Sequence, residues 1–383
     1  MRFLFTSSMG SSPWGGSEEL WSQTALRLRS LGHDVASSVS WWPALAPQIA
    51  ALKSHGVKIR LRKPFDYRSL PSRVWWRVAH RIQWRDEDAA WLRRSMPDLV
   101  IISQGASWDG TAWMELCIKA GIPFAVILQC NSETWWPNDQ TAGHMARAYL
   151  AASRVYCVSQ HNLKLLEDQI GEHLPNGTVV WNPFNVTTDE PPAWPNENGV
   201  CKIACVARLE PAAKGQDILF HIFSSPQWRD RPVELNLYGR GSGEVTTRKL
   251  AATLKLQNVR FQGHVEDIRK VWDENHLLVL PSRYEGLPLA LVEAMWCARP
   301  AVVTDIGGNA ELCTDGVTGF VAPAPSVKLV NDALERAWGA RESWQSMGQA
   351  GRIRVEDCIP KDPAACLADE LISLYTEVMA RRA

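Results

Sequence analysis

Short apolar runs alternate with longer stretches of mixed apolar and polar residues, and the alternation restarts once along the chain. In the first half, Arg2–Thr6, Asp98–Ser103, Phe124–Gln129, Val155–Ser159 and Thr178–Trp181 have the length and the β-branched or aromatic content of strands. Between them, Glu18–Leu31, Trp113–Ala120 and Gln160–Ile170 carry apolar residues at helical spacing and close near Gly or Pro. Asn182-Pro183 ends this half, and Asp189–Gly199, with three prolines, is the best linker. The second half predicts strands at Lys202–Ala207, Val233–Tyr238, Val259–Gln262, Leu277–Leu280 and Ala301–Thr304. It predicts helices at Gln216–Phe223, Gly243–Leu256, Asp267–Glu274, Pro288–Cys297 and Val327–Ala340, with an amphipathic tail from Pro363 to Arg382. Strand–helix alternation of this kind gives α/β layers with parallel sheets. Two such halves around a Pro-rich joint imply a cleft, a preferred place for a ligand.

Composition changes this picture little. The chain has 383 residues, enough for two domains, and its formal net charge is zero, so nothing calls for nucleic acid. Nine scattered cysteines without a C-x-x-C suit a reducing compartment, and Cys201 and Cys205 lie too far apart along one strand to bridge. The first apolar run is too short for a signal peptide, and no run approaches the roughly 20 apolar residues of a membrane span. A cytoplasmic protein is expected, with attachment to the inner face of the membrane left open.

The stretch Pro281-Ser282-Arg283-Tyr284-Glu285-Gly286-Leu287-Pro288-Leu289 through Glu293 carries the strongest chemistry. A strand ends, a Gly-containing loop follows, and a helix starts near Pro288, whose missing N–H is harmless in a first turn. The free amides of such a turn favour phosphate. Glu285 before the turn and Glu293 inside the helix can face one ligand, each accepting from hydroxyls; as solvated helix-start glutamates they would do nothing more than complement the dipole. Upstream, Arg208 ends a strand, and Lys214-Gly215 precedes a helix. Two cations at strand ends suit a diphosphate, Arg as a fork and Lys as a point charge. Gly307-Gly308-Asn309-Ala310-Glu311 adds a Gly turn after the next strand.

These stretches resemble the retaining glycosyltransferases of family four, strongly from about Cys201 to Pro323. The resemblance implies the GT-B fold, two Rossmann-like domains facing each other across a cleft. They would span residues 1–186 and 199–362, with a linker at 187–198 and a C-terminal helix, 363–383, crossing back to the first domain. It implies a nucleotide-diphosphate sugar as donor and no metal or other cofactor. Glu293 would bind the ribose and Glu285 the donor sugar, while Arg208 and Lys214 hold the diphosphate. Gly286, Leu287, Pro288 and Leu289 would meet the phosphates or sugar, with Gly239 and Val265 also on the donor side. Gly15-Gly16-Ser17-Glu18, after the first strand, is similar to the family's Gly-Gly-x-Glu loop, which approaches the diphosphate.

Gly239-Arg240-Gly241-Ser242-Gly243 superficially suggests a dinucleotide fingerprint, but its third Gly comes two residues after the second, not three, and no acidic residue ends a later strand. Many family members have a His where this chain has Gln129, close to Asn131. Gln can orient a hydroxyl but cannot act as a base near neutral pH, and Glu133 or His144 are the substitutes in reach. With Ser17 and Glu18, Gln129 and Asn131 are the acceptor-side candidates. The family's favoured front-face reaction needs no base, since the departing phosphate takes the acceptor's proton. Between Lys53 and Arg94 many basic residues alternate with Trp75, Trp76, Trp84 and Trp91. That pattern suits peripheral contact with anionic lipid and a lipid-linked acceptor; a solvated helix face with packed Trp, or Trp stacking on sugar rings, is the more ordinary explanation. The acceptor, a sugar, a lipid-linked species or a small molecule, is not legible. Two rival activities remain: a sugar-nucleotide epimerase or hydrolase of the same fold, and a non-catalytic sugar-nucleotide-binding protein.

Overall fold

Leu99, Val100, Ile101 and Ile102 are buried without interruption, as are Leu277–Leu280. Continuous burial of that kind marks central parallel strands covered on both faces. The computed structural model describes residues 1–10, 12–62, 87–186, 190–196 and 199–381. In it the two runs anchor two sheets. The first contains β1 (Arg2–Ser7), β2 (Asp34–Ser40), β3 (Lys58–Arg62), β4 (Leu99–Gln104), β5 (Phe124–Leu128), β6 (Arg154–Cys157) and β7 (Gly177–Val179). The second contains β8 (Cys201–Val206), β9 (Val233–Tyr238), β10 (Val259–Gly263), β11 (Leu277–Leu280), β12 (Ala301–Thr304) and β13 (Gly319–Ala322). The orders are β3-β2-β1-β4-β5-β6-β7 and β10-β9-β8-β11-β12-β13, with every pairing parallel. Each order reverses once, between β1 and β4 and between β8 and β11. Such switch points, at the carboxyl ends of the strands, are where open α/β sheets bind ligands.

The chain forms two units, Met1–Pro183 with Asp362–Ala383, and Phe184–Lys361. In the first, the terminal helix Pro363–Ala380 starts on Asp362, whose side chain accepts from the Ala365 amide, with Pro363 in its first turn. It places Leu367, Ala368, Leu371 and Leu374 in the same core as Leu20, Trp21, Ala25 and Leu28 of the helix Gly16–Ser30. In the second unit, residues 190–196 are held by Arg299, 1% exposed, which donates to Ala193 O (2.6 Å) and Trp272 O (2.6 Å) and lies over the Trp194 ring.

Val233–Tyr238, Leu277–Leu280, Ala301–Thr304, Gln160–Ile170 and Gln216–Phe223 form with the bounds their periodicity predicts. Three strands do not announce themselves. In β2 the sequence is Asp-Val-Ala-Ser-Ser-Val-Ser, and residues of low strand propensity, Ser37 and Ser38, are wholly buried in it. Edge strands β3 and β13 are short, at 5 and 4 residues. The helices Pro47–Ser54, Asp139–Leu150 and Trp344–Cys358 are likewise additions. No helix among the described residues is long and apolar enough to cross a membrane. All nine cysteines are free, and burial pushes thiols such as Cys117 and Cys205 up to about 12.

Candidate functional site

In the second unit the switch point brings two loops together. One follows β8 and turns through the short helix Pro211–Lys214; the other follows β11 from Pro281 to Pro288. Lys214 Nζ reaches Glu285 Oε1 at 2.6 Å, and Ser282 Oγ donates to the same oxygen at 2.7 Å. Glu285 is only 6% exposed. A buried ion pair offsets its desolvation only when further hydrogen bonds satisfy it, and Ser282 supplies one. Arg283 ties the loops: it makes a two-pronged contact with Asp217 (2.8 and 2.8 Å) and donates to Pro211 O at 2.6 Å. Burial raises the Asp217 carboxyl, but the Arg283 hydrogen bonds and charge outweigh it and hold the group below its ordinary value. Sequence reasoning gave no role to Ser282 or Arg283. Their position inside the Pro281–Glu293 stretch was the signal, and their partners lie too far along the chain to be read from it.

Backbone packs directly on backbone around this pair. Gly308 N donates to Gly286 O at 2.7 Å, and Gly307 has φ +56°. A Cβ on Gly307 would sit 2.4 Å from Gly286 O and 2.6 Å from Glu285 O, so only glycine fits. Gly239, at φ +128°, lies against Ala207 O in the same way, beside Arg208. The helix that sequence places from Pro288 begins at Leu289 and runs to Trp296. Pro288 keeps an extended ψ of 125° and caps it, its carbonyl accepting from Leu291 N at 3.0 Å. Leu287 is buried, Leu289 half-buried, and Val265 half-buried on the loop after β10.

Glu293, 4% exposed on that helix, meets neither cation in these contacts. Its Oε1 accepts from Asn185 N and Nδ2, both at 3.1 Å. Burial raises its pKa, and the Asn185 hydrogen bonds oppose part of the rise. Arg208 is half-exposed, 3.2 Å from Glu210 Oε2, with its carbonyl fixed by Gln216 Nε2. No group of three or more metal-ligating side chains occurs among the described residues.

In the first unit, Gly15 is extended (φ −164°) and the helix opens at Gly16. Ser17 Oγ contacts Met9 Sδ at 3.2 Å. Glu18 turns inward, 4% exposed, accepting from Ser7 Oγ at 2.9 Å. Burial raises its pKa to about 7, with Ser7 and the nearby Arg62 working against the rise. Arg62 is buried too, donating to Ser38 O (2.7 Å), Ser38 Oγ (2.8 Å), Thr6 Oγ1 (3.2 Å) and Ser7 O; burial lowers it to about 10. A cavity of about 10 Å³, room for one water, lies beside Glu18 with Ser40, Trp14 and Trp42 on its walls. A raised carboxyl means that the folded chain holds its proton more tightly than the unfolded chain. Stability therefore falls as pH rises from about 4.5 to about 7, and the penalty is complete above that. We expect Glu18→Gln to raise the melting temperature at pH 8, by roughly 1–3 kcal/mol of stability, with no gain at pH 4. A thermal scan at both values reads this directly; equal effects at both would contradict it.

The remaining first-unit candidates fall into separate networks. Gln129 accepts from Asn182 Nδ2 at 2.8 Å, whereas Asn131 donates to Gln169 at 2.8 Å. Glu133 pairs with His161 Nε2 at 2.9 Å, and that hydrogen bond holds its carboxyl below the usual range. His144 is paired with Glu115. Of the basic Trp-rich stretch 53–94, residues 63–86, including Trp75, Trp76 and Trp84, lie outside the described residues. On its described flanks Lys58 pairs with Asp34 and Arg60 with Asp88, while Arg62 is buried. These three cations are already engaged by the protein.

Residues 201–339 match the family model described as Glycosyl transferases group 1. The chain is similar to alpha-D-kanosaminyltransferase of Streptomyces kanamyceticus, 29% identical over 175 residues, 44% of this chain and 43% of that protein. It is 28% identical over 164 residues to O-antigen chain mannosyltransferase C of Escherichia coli, 42% of this chain and 43% of the relative. The chain thus spans less than half the length of these two relatives. In structure it is similar to Anabaena HepE solved with UDP-glucose, at a TM-score of 0.74 and 17% identity over 97% of this chain and 99% of that one.

Proposed function

We propose that this chain is a glycosyltransferase, as the group 1 family match over residues 201–339 and the GT-B fold support, and that it transfers a sugar from a nucleotide-diphosphate donor to an acceptor hydroxyl, with retention and without a metal ion. The observation that carries this reading is the buried Lys214–Glu285 pair spanning the β8/β11 switch point beside the Gly286 turn. Lys214 and a re-oriented Arg208 neutralise the departing diphosphate. The amides of Gly286, Leu287 and Leu289 meet its oxygens or the sugar, as helix starts do for anions. Glu285, fixed by Lys214 and Ser282, accepts from sugar hydroxyls. Glu293, pre-positioned by Asn185, accepts from the ribose hydroxyls. The bond from the anomeric carbon to the β-phosphate oxygen breaks, and the bond to the acceptor oxygen forms on the same face. The acceptor proton passes to the departing phosphate oxygen, so no protein base is needed and Gln129 is no defect. The first unit binds the acceptor.

The neighbour solved with UDP-glucose and the two named transferases support this class of donor and reaction. Proton NMR of the product, with reactions run in EDTA, tests the finer part. We expect an α-linked donor to give an α-linked product at a rate that chelation leaves unchanged. An inverted product, or activity restored only by added metal, would contradict it.

A further inference from the structure

Tryptophan is used differently in the two units. In the second, Trp228, Trp272, Trp296 and Trp344 are buried, and Trp194 and Trp338 pack against the core. In the first, Trp21 and Trp113 are buried, and Trp14 and Trp91 pack against cores. The described tryptophans that do neither are Trp41, Trp42, Trp108, Trp135, Trp136 and Trp181. Every one lies in a loop that leaves the carboxyl end of a first-sheet strand: β2, β4, β5 or β7. Because the strands are all parallel, these loops share one edge. Trp108 is 44% exposed and Trp136 62%, and Trp108 stands edge-on to Trp135 with ring centroids 4.9 Å apart. From β2 to β5 is three strand spacings, about 15 Å, longer than a single sugar ring needs.

A second feature marks the same edge. Gln104 Nε2, Ser107 Oγ, Gln129 Nε2 and Asn182 Oδ1 are buried without a hydrogen-bond partner among the described residues. Their side chains are between 1% and 7% exposed. Buried polar atoms of this kind await a ligand or a water. Flat apolar rings and hydroxyl-seeking donors and acceptors on one sheet edge are the complement of a pyranose, which has apolar faces and polar edges. Among the described residues, the loops 8–10, 12–15, 41–46, 105–110, 129–138 and 180–183 contain Asp109 and Glu133 but no Lys or Arg.

We infer that the acceptor is a saccharide of more than one ring, laid along this edge with ring faces on Trp108, Trp135 and Trp136 and hydroxyls on Gln104, Ser107, Gln129 and Asn182. The inference rests on the transferase reading for the word acceptor, but the binding surface stands without it. Calorimetric titration of the full chain with gluco-, manno- and N-acetylglucosamine oligosaccharides of increasing length tests the surface. Phosphatidylglycerol vesicles serve as the other arm. We expect binding that strengthens with saccharide length, and Trp108→Ala and Trp136→Ala each weakening it about tenfold. In turnover the same variants raise the acceptor KM by a similar factor while the donor KM stays within about twofold. Failure of all saccharides to bind, variants indistinguishable from wild type, or binding to vesicles alone would overturn the inference. If saccharides bind but no nucleotide sugar does, the transferase reading fails and the surface remains.

Discussion

Replacing Lys214 with methionine is expected to lower kcat about a thousandfold, the range seen when one preorganised charge donor is removed from a transition state. Lys214 has two tasks, and the substitution removes both. It would neutralise the departing diphosphate, and it is the 2.6 Å partner of a glutamate that is almost fully buried. Without Lys214, the Glu285 carboxylate keeps the Ser282 hydrogen bond but loses this counter-charge, which costs about 3 kcal/mol of stability. The two effects separate in a double variant. Lys214→Met with Glu285→Gln should regain most of the lost melting temperature and none of the turnover. A single variant that keeps kcat within tenfold of wild type would remove Lys214 from the donor site.

Gly307→Ala is expected to be nearly as damaging, by a different route. At φ +56° the new methyl would meet Gly286 O at 2.4 Å and Glu285 O at 2.6 Å, both backbone atoms that cannot swing aside. The loop carrying Glu285 must shift, at about 4 kcal/mol, and donor affinity should fall by about a hundredfold or more. Gly316 is the control: its φ is +72°, but nothing lies within 4 Å of its Cβ position, so Gly316→Ala should cost about 1 kcal/mol and leave donor affinity intact. Equal losses in the two variants would mean that backbone strain, not the close approach to the Glu285 loop, sets the requirement.

The amino-acid sequence carries the local half of this site and not the tertiary half. Leu277–Leu280 announces a buried strand because both faces are apolar, and Glu285 with Glu293 stands out by spacing within one strand–turn–helix unit. What surrounds them does not. Asn185 reaches Glu293 from 108 positions upstream, and Asp217 reaches Arg283 across 66. Neither pairing leaves a periodic trace. The serine-rich β2 fails as a sequence strand because its buried Ser38 is there to receive Arg62, a tertiary contact. Glu18 reads as one more glutamate in a first helical turn, and only the fold shows that it is buried beneath Ser7. The tryptophan excess is visible from composition, but its division between core and sheet edge appears only once the strands are aligned.

A transfer assay tests the central assignment most directly. Nucleotide release is measured from UDP- and GDP-sugars, with and without oligosaccharide acceptors, for the wild-type chain and for Glu285→Gln. Acceptor-dependent release of one nucleoside diphosphate, with the sugar recovered on the acceptor and the rate reduced at least about a hundredfold by Glu285→Gln, is the predicted result. Donor consumed equally without an acceptor, donor bound but never consumed, or a Glu285→Gln variant as fast as wild type would each contradict it.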